Sequence, residues 1–196
     1  MTGLELLPLR QRLSHDFGLE THQFQYSSLF GDEAGTAARL AALAHSLSAP
    51  VHFLGHSLGG LLILDLFERQ GASLPPGRVV LMGSPVNGAE APRTLSGWPG
   101  MRTLLGAMPH RQLVEAPRRV WRQPRALGVI AGTTPLGLGL VTGGFDGPND
   151  GTVQVAETQL EGCTAMVTLP VAHAGMGLSK EVARQAGTFL TTGEFD

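Results

Sequence analysis

Several protein classes are excluded by what the sequence lacks. It has a single cysteine, Cys163, so neither a disulfide framework within the chain nor a cysteine-rich zinc site can be built. It has a single lysine, Lys180, against thirteen arginines, and only 15% of its residues are charged. No basic run offers a footprint for nucleic acid. A net charge of −2 with 42% hydrophobic residues excludes a disordered polyelectrolyte. No signal peptide opens the chain, because Glu5, Arg10, Arg12 and Asp16 are mixed with leucines over residues 1–18. The longest uncharged stretch, 126–145, is broken by six glycines and Pro135, so it reads as a strand and a loop rather than a membrane span. A cytoplasmic location is the expectation. There is no internal repeat and no low-complexity tract.

Glycine and proline, by contrast, are plentiful. The 27 glycines and 13 prolines imply many tight turns rather than a helical bundle. A chain of 196 residues suits one domain and is long enough to bury a sizeable core. Helix-like and strand-like segments alternate along it. Helices are predicted at 4–15, 33–47, 61–69 and 179–190, the last capped by Ser179. Strands are predicted at 20–26, 51–54, 78–83, 126–131 and 165–170. Such interleaving predicts an α/β fold, a mostly parallel sheet with helices on both faces.

The central chemical signal is Gly55-His56-Ser57-Leu58-Gly59-Gly60, which joins the apolar strand VHFL to the apolar helix LLILDLFER. A G-x-S-x-G turn between strand and helix lifts its serine hydroxyl above the carboxyl end of a sheet. The turn is sharp enough to force strained dihedrals on the serine, and bulky side chains at 55 and 59 are expected to collide with the neighbouring strand and helix. The Leu58 amide, at the helix start, is positioned to donate to a developing oxyanion. The bland alternative is a glycine-rich connection carrying a surface serine.

A serine nucleophile needs a base, and the base needs an orienting acid. Only His110 and His173 follow Ser57 outside the turn. His173 comes three residues after a strand and before the last helix, which puts it on a loop at the same sheet end as Ser57; it is the preferred base. The acid candidates are Asp146, Asp150, Glu157 and Glu161. Asp146 and Asp150 both sit in turn-rich surroundings, and spacing alone leaves the two open. Either aspartate could serve only to cap its own turn.

GHSLGG at 55–60, LMGSPVNGA at 81–89, PNDGTV at 148–153 and VAHAGM at 171–176 together resemble the α/β-hydrolase superfamily, especially small lipase-like esterases of bacteria. Their order along the chain is the family's. The resemblance implies Ser57 as nucleophile, His173 as base, Asp150 rather than Asp146 as acid, and the Leu58 amide as one oxyanion donor. It implies hydrolysis of carboxylic esters, often lipid esters, without a cofactor; no metal is called for. It also places a short cap insertion at 86–125, within a single domain spanning 1–196.

The resemblance breaks at the front. The family's strand ending in His-Gly, whose next residue gives the second oxyanion amide, has no counterpart, because no His-Gly dipeptide occurs in the chain. In the family's order that strand lies between 20–26 and 51–54. Three expectations compete: a longer parent that begins upstream, a sheet closed up by pairing of 20–26 with 51–54, or strand addition from another chain. Weak activity is expected if the second donor is missing. The cap window holds seven of the arginines and both tryptophans, Trp98 and Trp121. That composition suits transient contact with an anionic lipid surface, or simply a solvated flap that the tryptophans pack down. The partner is then a small-molecule ester or lipid, with homo-oligomerisation left open. The rival readings are an acyltransferase or thioesterase with the same residues, and a non-catalytic binder of a lipid or a protein.

Overall fold

The structure is a computed structural model and describes residues 4–26, 33–88, 119–136, 145 and 147–196. Four parallel strands form one sheet in the order β1 (Phe53–His56), β2 (Val79–Met82), β3 (Leu127–Gly132) and β4 (Ala165–Leu169). Phe53 pairs with Val79, Val79 with Leu127 and Gly128 with Ala165. All four residues of β2 and all six of β3 are buried, as continuous apolar runs in a sheet covered on both faces should be.

Two clusters form the core, one on each face. Successive β2 residues divide between them: Val79 and Leu81 point to one, Val80 and Met82 to the other. The first face is covered by α2 (Glu33–Ser46) and α3 (Leu58–Gln70), with Phe67 set edge-on against Phe53 and Trp121. The second is covered by α1 (Leu7–Phe17), which follows a 3-10 turn at Leu4–Leu6, and α5 (Lys180–Thr192). A short α4 (Val155–Thr158) lies between β3 and β4. The predicted Ser179 cap is present: its hydroxyl accepts from the Val182 amide at 3.2 Å. The helix after the glycine-rich turn starts three residues earlier than predicted, directly behind Ser57.

The predicted strand at 20–26 is a correction. Those residues form no strand. Their backbone carbonyls bind arginines instead of a ladder: Arg10 donates to the Thr21 carbonyl at 3.2 Å and to the Gln23 side chain at 2.8 Å, and Arg39 donates to the Gln25 carbonyl at 3.4 Å. Phe24 and Tyr26 pack on the α2–α3 side and Leu19 on the other, so the alternating pattern reflects an extended segment clamped across the edge of the domain. Pairing of 20–26 with β1 is thereby contradicted. Among the described residues β1 pairs only with β2. Beside its free edge lies a cleft of about 670 Å³, whose lining includes Leu9, Thr21, Leu40, Leu54, Gly59 and Leu62.

Most of the cap window, 89–118, with Trp98 and His110, lies outside the described residues, as does Asp146. Trp121 is buried, and its indole donates to the Arg125 carbonyl at 2.9 Å. Among the described residues no helix is long and apolar enough to cross a membrane.

Candidate active site

β1 ends at His56 and α3 begins at Leu58, so Ser57 alone makes the turn between them. It does so at φ 54° and ψ −123°, the one non-glycine residue with positive φ among those described. A Cβ at Gly55 would come within 2.7 Å of the Gly60 backbone, and one at Gly60 would run into the Ser84 side chain. These two glycines let strand and helix cross closely. Gly59 is different from the expectation: nothing lies within 4 Å of a Cβ built there, because it faces the cleft beside β1. The Leu58 amide, in the first turn of α3, has no backbone acceptor among the described residues.

His173 opens a 3-10 turn, His173–Gly175, four residues beyond β4. Its backbone N–H donates to the Asp150 carbonyl at 2.8 Å, which ties the two loops together. Its Nε2 lies 3.1 Å from Ser57 Oγ, and its Nδ1 lies 2.7 Å from Asp150 Oδ2. The Asp150 side chain is 1% exposed and that of His173 14% exposed. Asp150 is held by its other oxygen: Oδ1 accepts from the amides of Thr152 at 2.9 Å and Val153 at 2.7 Å. The two readings of Asp150 are therefore compatible. One carboxylate oxygen caps the Asn-Asp-Gly-Thr-Val turn while the second faces the imidazole.

Of the other acid candidates, Asp146 lies outside the described residues, and neither glutamate is hydrogen-bonded to His173. Glu157 accepts from the Gln154 amide at 2.8 Å and caps α4, and the Glu161 carbonyl receives the Trp121 amide at 2.7 Å. Sequence reading passed over His56. Its ring lies 4.7 Å from that of His173, centroid to centroid, and both its nitrogens are buried with no well-formed hydrogen bond among the described residues. Burial, then the nearby His173 ring, pushes its pKa down to about 4, against smaller upward pulls from the Asp150 carboxylate and from a weak contact with the His173 backbone. The only sequence signal for it was a histidine placed directly before the serine at a strand end. Among the described residues no group of three or more histidine, cysteine or acidic side chains is placed to hold a metal ion.

A serine hydroxyl, an imidazole and a buried carboxylate in one hydrogen-bonded line, next to a free helix-start amide, can transfer an acyl group. The model of the "Alpha/beta hydrolase family" matches residues 7–176. No curated protein is significantly similar. Among solved structures, the mature form of the Bacillus licheniformis lipase BlEst2 is 18% identical with a TM-score of 0.59, over 82% of this chain and 72% of that one. The thioesterase RedJ, from the prodiginine pathway of Streptomyces coelicolor, is 17% identical with a TM-score of 0.57, over 96% and 81%. The thioesterase domain SrfTE, described for cyclization of the lipopeptide antibiotic surfactin, is 15% identical with a TM-score of 0.55, over 99% and 86%. At such identities the likeness is one of fold.

Proposed function

The chain belongs to the alpha/beta hydrolase family, and from that premise we propose that it is a serine hydrolase that cleaves carboxylic esters through an acyl-enzyme. The observation that carries this reading is the unbroken line from Ser57 Oγ through His173 to Asp150, with contacts of 3.1 and 2.7 Å. Ser57 attacks the ester carbonyl as His173 Nε2 takes its proton. Asp150, fixed by two backbone amides, holds the Nδ1–H tautomer and stabilises the imidazolium. The Leu58 amide donates to the oxyanion. The protonated His173 then gives its proton to the leaving alcohol. Water repeats the sequence on the acyl-enzyme and releases the acid. Every step uses side chains and amides of this chain alone.

A single identified oxyanion amide makes the proposed enzyme slow, since removal of one such donor costs about 100- to 1000-fold in turnover. This reading keeps 86–125 as a cap-like insertion within one domain. A thioester substrate is the second reading, favoured by the likeness to RedJ and SrfTE. A series of chromogenic esters of increasing acyl length, run beside the matching thioesters, tests both. Ester turnover that disappears in Ser57→Ala supports the first; a preference for thioesters by tenfold or more replaces it with the second. If neither substrate turns over and a fluorophosphonate probe leaves Ser57 unlabelled, the protein is a binder and the hydrolase reading is wrong.

A further inference from the structure

His56 takes no part in the hydrogen-bonded line, yet it touches the residue on which that line turns. It closes β1, and its ring packs on the His173 ring at 4.7 Å with the planes 39° apart. Asp150 approaches His173 from the loop after β3, His56 from β1, and Ser57 from the start of α3. These are the titratable or nucleophilic groups that face His173 among the described residues, and His173 and Asp150 are those that face His56. The ring meets His173 through its face and volume, at 4.7 Å between centroids, beside a weaker contact with the His173 backbone.

An aromatic face within about 6 Å of a cation attracts it, and the His173 imidazole becomes a cation when it takes the Ser57 proton. We infer that His56 is a positioning residue for the catalytic base: its aromatic face braces His173 in the reactive rotamer and favours the imidazolium that forms there. The inference rests on the Ser57–His173–Asp150 reading and adds a fourth member to it. Burial keeps the His56 ring neutral across the neutral pH range, so it offers that face without a competing charge.

The test compares His56→Phe, which keeps an aromatic face, with His56→Leu, which fills the space without one. The rate of labelling by a fluorophosphonate probe is followed against pH, which needs no known substrate and reads the protonation of the free base. An aromatic face shifts the imidazolium equilibrium about two- to fivefold, so its loss lowers the midpoint of the acid limb by about 0.3 to 0.7 pH units. The expected result is that shift in His56→Leu, with slower labelling at the plateau, and a midpoint restored in His56→Phe. Thermal unfolding of both variants shows that they are folded. A Leu variant with the parent's rate and midpoint, or a Phe variant that falls with it, overturns the inference. Labelling that survives Ser57→Ala overturns the serine reading itself, which is a separate failure.

Discussion

Asp150→Asn is the most informative change to the proposed machinery. The side chain is 1% exposed and satisfies three donors: the amides of Thr152 and Val153 at 2.9 and 2.7 Å on one oxygen, and the His173 Nδ1–H at 2.7 Å on the other. Asparagine keeps one oxygen for the two amides, so the turn survives. Its NH2 group then meets Nδ1, which must become an acceptor, and the proton moves to Nε2. An Nε2–H cannot accept the Ser57 proton at 3.1 Å. The expected loss is about 10,000-fold in turnover, or about 5 kcal/mol of barrier. Asp150→Ala is different in kind: it orphans the buried Val153 amide, at about 1–3 kcal/mol, and the half-buried Thr152 amide, so it unfolds at lower temperature as well as losing activity. Fluorophosphonate labelling rates and thermal melts of the two variants separate these effects. An Asn variant that labels at the parent's rate would refute the reasoning, because the tautomer would then not matter.

Other expectations follow from the same geometry. Gly55→Ala loses labelling and stability by about 1–3 kcal/mol, since its methyl lands 2.7 Å from the Gly60 backbone, while Gly59→Ala is tolerated because its methyl meets open space; paired thermal melts check the contrast. The depressed pKa of His56 makes the fold less stable in acid. Below pH 6.5 the unfolded chain binds a proton that the folded chain refuses until about pH 4, so about 3 kcal/mol is lost between those values. His56→Phe should lack that portion of the slope in urea melts at pH 7 and pH 4.5, and an unchanged slope contradicts the assignment. The edge of β1 that no described strand pairs with, and the cleft beside it, provide a lane for another strand. Fusing an apolar strand that ends in His-Gly ahead of the chain should raise labelling by about 100-fold, and equal rates with and without it count against a missing second donor.

The sheet and the site differ in how legible they were. Strands at β2 and β3 were readable because a doubly covered parallel strand is a continuous apolar run bounded by turns. The turn at Ser57 was readable because its glycines are demanded by close approach, although the demanding positions are 55 and 60 rather than 55 and 59. The segment 20–26 misled for a physical reason. Alternation of apolar and polar residues specifies an extended chain with one face buried, not a strand partner, and Arg10 and Arg39 satisfy the carbonyls that a ladder would have used. Asp150 and Asp146 were inseparable by spacing. What distinguishes Asp150 is three-dimensional: its carboxylate sits 2.7 Å from an imidazole 23 positions away. His56 offered only its place directly before the serine, because ring packing across 117 positions leaves no local pattern.

The most direct measurement is mass-spectrometric mapping of a fluorophosphonate adduct on the intact protein, beside Ser57→Ala. The account predicts one adduct, on the peptide containing Ser57, and none in the alanine variant. A protein that is fully folded yet takes up no probe, or takes it up equally without the Ser57 hydroxyl, contradicts it.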